Sequence, residues 1–193
     1  STASAYPAGS VVTRVTDAMW RSMTQAQFAS YNMIVIASGC SYSSCQALYD
    51  TRNTWGPAVT GRIIAETSDA IPHGQFNGPR AWMRWIVASH GTGLYVGENI
   101  AQRGLDYMSP FGGVTAVARS YNPGSIVAPT HAAMLGVTDA DITMSGNHAS
   151  MTAWASSFTV LARPGPYPSE AMVIARDAAG SGTGLGIPYT TNI

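Results

Sequence analysis

The chain has 193 residues, and only 10% of them are charged, against about 25% in a typical soluble domain. All ten basic residues are arginine and the formal net charge is zero, which excludes a basic field for nucleic acid or anionic lipid. Such a surface is built mainly from Ser, Thr, Asn, Gln, Gly and Ala, and its neutrality removes the repulsion that keeps subunits apart.

The length fits one domain with a sizeable core, and no apolar run approaches the roughly 20 residues of a membrane span. Residues 1–10 are small, polar and aperiodic, and are expected to form an arm. Ser1-Thr2-Ala3-Ser4-Ala5 fits the start of a mature secreted chain, an expression remnant being the alternative. Residues 10–15, with Val11, Val12 and Val15, predict a strand. Asp17 is expected to cap a short helix carrying Met19, Trp20 and Met23, and Thr24 a second turn through Phe28. Residues 32–37 are a continuous apolar run between polar loops and predict a buried strand.

Cys40 and Cys45 follow, with four residues between them in a polar loop. A zinc site needs more ligands at other spacings, so the expectation is a short-loop disulfide, with two reduced thiols as the alternative. Residues 46–53 predict a short helix that Trp55-Gly56-Pro57 breaks, and 62–66 predict a second buried strand. A loop over 67–78 contains Asp69, Pro72, His73 and Gly74.

Residues 80–99 form the centre of the pattern. Ala81, Trp82, Trp85 and Ile86 fall on one face of a helix over 80–89. Gly91 and Gly93 end it, and an apolar strand over 93–96 leads to Gly97-Glu98-Asn99. Helix, tight turn and strand buried on both faces are the unit of an open α/β sheet, which is the expected fold class. Downstream, a short helix is expected at 104–108, a strand at 112–119, a turn at 121–125, and helical turns at 132–135 and 139–142. Strands at 158–162 and 171–175 flank a Pro/Gly-rich hairpin over 163–169, and Trp154 falls in a Ser/Ala-rich loop. The domain is expected to span 11–177, with 178–193 as a Gly/Ser/Thr-rich tail. Gly180 to Gly184 matches a phosphate loop in composition only, without lysine or strand–turn–helix context, and is expected to be a linker.

The run Val15-Thr16-Asp17-Ala18-Met19-Trp20, then Gln27-Phe28-Ala29-Ser30-Tyr31 leading into Met33-Ile34-Val35-Ile36, resembles domains of secreted bacterial proteins. These are related to the glutamine-amidotransferase-like superfamily, including trehalose-utilisation-type proteins. Trp55-Gly56-Pro57, Val59-Thr60-Gly61, Gly91-Thr92-Gly93-Leu94-Tyr95, the segment from Thr130-His131-Ala132 to Ala140, and Asn147-His148 before Phe158-Thr159-Val160-Leu161-Ala162 extend the resemblance over about residues 11–176. It implies a flavodoxin-like fold, an open, mostly parallel sheet with helices on both faces. Two departures stand out. No cysteine follows the 94–96 strand, where amidotransferases carry their nucleophile, so thiolate hydrolysis of glutamine is not expected. Relatives also begin with an apolar strand before Val11, for which residues 1–10 are too polar.

In such a sheet ligands sit at the strand carboxyl ends. Glu66, Asp69, His73, Glu98, His131 and His148 are placed there by the expected loops, where they would serve as acid, base or metal ligand. Their spacing fits no metal motif, and the bland alternative is that Glu66 and Glu98 accept backbone hydrogen bonds while the histidines are ordinary loop residues. The expected function is therefore non-enzymatic: a secreted, self-assembling extracellular subunit, without cofactor, metal or nucleic acid, that forms homo-oligomers or filaments through its arms. Leu185, Ile187 and Tyr189, the apolar patch after Arg176, are the candidate assembly contact. The alternative is a hydrolase-like or small-ligand-binding domain using the crevice of Glu66, His73, Glu98, His131 and His148.

Overall fold

Three short apolar strands set the frame: β1 (Ile34–Ile36), β2 (Ile63–Glu66) and β3 (Thr92–Tyr95) pair in parallel and in chain order. The computed structural model describes residues 11–36, 46–59, 62–66, 77–89, 91–95, 106–119, 123–143 and 149–178. Two further strands, β4 (Val114–Ala118) and β6 (Ala149–Trp154), form a separate antiparallel ladder. β5 (Gly124–Ile126), β7 (Thr159–Pro164) and β8 (Val173–Arg176) complete the main sheet, whose order is β1-β2-β3-β8-β7-β5. β8 runs antiparallel to β3, β7 to β8, and β5 to β7. The fold is thus mixed α/β, with a parallel half and an antiparallel half.

Alternation along the strands divides the interior into two cores. On one face Ile34, Ile36, Ile63, Ala65 and Ile174 pack with Phe28, Leu48, Trp55 and Phe111. On the other, Ile64, Val173 and Ala175 pack with Trp82, Trp85, Ile86 and Met134. Ile63 and Ile86 are completely buried, and each such side chain contributes about 1.5–3 kcal/mol of transfer free energy.

The helices supply these layers: α1 (Asp17–Ser22), α2 (Gln25–Ala29), α3 (Gln46–Asp50), α4 (Arg52–Ala58), α5 (Asn77–Ser89) and α6 (Asp139–Ile142), with 3-10 turns at Asp106–Phe111 and Ala132–Met134. α5 carries the apolar face expected of it and begins earlier than residue 80, with Pro79 in its first turn, where no intrahelical N–H is needed. Gly91 follows because a Cβ there would lie 2.5 Å from the Trp85 ring and 2.8 Å from the Arg176 carbonyl oxygen. Thr24 and Gln27 form the full capping box of α2.

Several expectations are corrected. Residues 11–16 form no strand; Val11 and Val12 are 57% and 46% exposed, because β-branched residues need a pleated partner to pack against and find none among the described residues. The cap of α1 is Thr16, whose hydroxyl accepts from the Met19 N–H at 3.3 Å, while Asp17 occupies the first turn and complements the helix dipole. Trp55-Gly56-Pro57 does not break a helix but lies inside α4. Trp55 is fully buried and donates its indole N–H to the Leu48 carbonyl at 2.8 Å, Gly56 admits Pro110 where a Cβ would sit 2.4 Å away, and Pro57 falls in the last turn. The expected turn over 121–125 includes the start of β5 at Gly124. Trp154 is in no loop: it ends β6, paired with Val114.

Candidate functional site

β5 follows three reversals from β3, so the chain leaving its carboxyl end emerges at the amino end of β3. His131 is found there. Its ring meets Trp85 at 5.3 Å between centroids in an edge-on arrangement, and its Nε2 lies 3.8 Å from Asp177, just past β8. Arg176, at the end of β8, pairs with Thr92, the first residue of β3. Glu66 ends β2 at the opposite, carboxyl end, beside Tyr95. The expected convergence of His131 with Glu66 is therefore overturned by the antiparallel half of the sheet. The side chain of Glu66, and all of His73, Glu98, His148, Cys40, Cys45, Leu185, Ile187 and Tyr189, lie outside the described residues.

His131 has a local task instead. Its Nδ1 accepts the Ala133 N–H at 3.1 Å, capping the 132–134 turn. An acceptor nitrogen is an unprotonated one, and burial pushes the imidazole below its usual range, with Asp177 pulling weakly the other way. The 3.8 Å contact is thus one between a neutral ring and a carboxylate at neutral pH.

A second polar cluster, which the sequence analysis did not single out, joins the two sheets. The buried carboxylate of Glu170 accepts from the Arg119 guanidinium through both Nε, at 3.0 Å, and Nη2, and from the Ser150 hydroxyl. Arg119 also stacks on Tyr167, 4.5 Å from the ring centroid. The Arg119 hydrogen bond foremost holds the Glu170 carboxyl below its usual range, against the opposing effect of burial. Every oxygen of the carboxylate is engaged and ionised, so the cluster acts as a clamp rather than an acid. Among the described residues no three His, Cys, Asp or Glu side chains are grouped to hold a metal, and no helix is long and apolar enough to cross a membrane.

The two outer strands of the main sheet differ sharply. At β5 the outward backbone is covered by α6: Gly124 N–H donates to Thr143 Oγ1 at 3.0 Å, and Ile126 N–H donates to Asp139 Oδ1 at 2.8 Å. At β1, Ile34 N–H donates inward to the Arg62 carbonyl at 2.8 Å. In a parallel ladder that phase turns the N–H and C=O of Val35 away from β2, and among the described residues they have no partner. β1 is short, three residues, but Ile34-Val35-Ile36 contains no charge, proline or bulge to block pairing along its outer side.

No protein-family model, no curated protein and no solved structure matches the chain.

Proposed function

We propose that this chain is a non-enzymatic, extracellular association domain that assembles with copies of itself by strand addition at β1. The observation that carries the reading is that the Val35 backbone has no partner among the described residues, whereas the outward N–H groups of Gly124 and Ile126 at β5 are both engaged. An open edge and a closed edge on one sheet favour a directional contact over symmetrical edge-to-edge pairing. The occupant we assign is the 185–189 segment of a second copy, in which Leu185, Ile187 and Tyr189 alternate with the period of a strand and Gly180 to Gly184 supply reach. Pro188 suits a strand bonded along one side only. Zero net charge and the absence of lysine lower the electrostatic cost of packing copies together. The secreted setting rests on the same composition, and a Cys40–Cys45 disulfide is the pairing it implies.

Kinship with flavodoxin-like, amidotransferase-like domains draws support from the parallel β1–β3 half with apolar layers on both faces. The three antiparallel pairings, and parallel strands in simple chain order, are departures from that plan. Replacing Val35 by proline removes the outward N–H, together with an isopropyl group packed at the margin of the second core, and loss of assembly with retention of fold is the test.

A further inference from the structure

A cleft of about 470 Å³ lies between α3–α4 and the β4–β6 ladder. Its walls include Tyr49, Arg52, Ser109, Thr115 and Trp154, and no other cation among the described residues lines it. The Arg52 guanidinium lies 4.4 Å from the centroid of the Tyr49 ring, and its Nη1 donates to the Tyr49 carbonyl at 2.8 Å. It has no carboxylate partner among the described residues, whereas Arg21 and Arg119 each have one. A guanidinium fixed on a ring and anchored through one nitrogen retains further N–H groups already oriented for a planar anion. Trp154 is half-buried at the same cleft, and the Ser109 and Thr115 side chains are exposed.

The floor is made of backbone. Gly112 and Gly113 have φ of +101° and +76°, and a Cβ on Gly112 would lie 2.6 Å from that of Ala155. Nothing stands within 4 Å of a Cβ position on Gly113, so the cleft has open space beside that residue.

We propose that this cleft binds an acidic saccharide, with the apolar face of a sugar ring against Trp154, its carboxylate on Arg52, and its hydroxyls toward Ser109, Thr115 and the glycine backbone. An indole face matches the C–H face of a pyranose, and mixed hydroxyl and peptide groups match its equatorial oxygens. A single cation matches one carboxylate per ring. It leaves the higher charge of a nucleotide phosphate unbalanced, so a nucleotide is the disfavoured occupant.

Calorimetric titration of the full chain with trigalacturonate, maltotriose and adenosine monophosphate tests this. Saturable binding of trigalacturonate is expected, with maltotriose weaker by about tenfold or more. Arg52→Gln abolishes that preference, and Thr115→Trp, which fills the cleft from an exposed position, blocks both sugars; circular dichroism and thermal melts verify that both variants are folded. No saturable binding of trigalacturonate overturns the proposal, as does binding that either variant leaves unchanged, or tighter binding of the nucleotide.

Discussion

The imidazole of His131 rests edge-on against the indole of Trp85, with ring centroids 5.3 Å apart, and this contact ties the chain leaving β5 to the end of α5. Burial there lowers the His131 pKa below 6.5, and its Nδ1 is occupied as an acceptor. The unfolded chain therefore takes up the proton first. Stability is fully present above about pH 6.5 and declines as the pH falls from there toward the folded value. Urea titrations between pH 5 and 8 are expected to show this slope. His131→Asn, which keeps a capping acceptor, removes it; an unchanged slope in that variant would assign it to another group.

Glu170 gives a second, more acidic limb. Its carboxyl is held below its usual value of 4.5, first by the Arg119 hydrogen bond, so its stabilisation is present above that value and is lost as the pH falls through the folded one. Glu170→Ala leaves the Ser150 hydroxyl and the Arg119 guanidinium without their acceptor and is expected to cost about 2–3 kcal/mol in chemical denaturation. A cost under about 0.5 kcal/mol, the range of an ordinary surface substitution, would show that the clamp contributes little.

Thr92 is 1% exposed and its hydroxyl has no hydrogen-bond partner among the described residues. It opens β3 on the face shared with Ile63, so Thr92→Val exchanges an unpaired hydroxyl for a methyl group. The variant is expected to gain about 1 kcal/mol, seen as a higher urea midpoint at constant slope. A loss of stability would place an ordered water or another partner at that oxygen.

Gly91→Ala should be costly despite adding one methyl. The new carbon would lie 2.5 Å from the Trp85 ring and 2.8 Å from the Arg176 carbonyl, neither of which is a flexible chain end. The expected loss is about 2 kcal/mol, read from thermal or chemical unfolding. Near-wild-type stability would mean that α5 and β8 can separate at that point.

The elements that could be recognised in the sequence are those whose signal is local. Trp82, Trp85 and Ile86 announced α5, Thr24 as a cap announced α2, and the Pro/Gly-rich segment between β7 and β8 announced a hairpin. β6 escaped because Ala149-Ser150-Met151-Thr152-Ala153-Trp154 has weak strand propensity; its pairing with β4 and the Met151–Ala171 bridge define it. Val11 and Val12 erred the other way, with strong propensity but no strand partner among the described residues. The position of His131 depends on the direction of β8, β7 and β5, which no local pattern encodes. Expecting a mostly parallel sheet, with His131 in a loop after a parallel strand, put it at the wrong end. The open edge at Val35 has the same origin, since a strand's neighbours are a property of the whole sheet.

The central claim is that β1 is the joining edge, and sedimentation velocity of the full chain beside its Val35→Pro variant tests it most directly. The Val35 N–H gives nothing to β2, and Ile34 before it is already extended, so proline fits the strand while blocking any chain laid along its outer side. The native chain is expected to sediment as species heavier than one chain, and the variant as a single chain with unchanged circular dichroism and a modestly lower melting temperature, since the Val35 side chain packs at the margin of the second core. A native chain that stays monomeric at tens of micromolar, or a folded variant that assembles as the native chain does, would contradict the account.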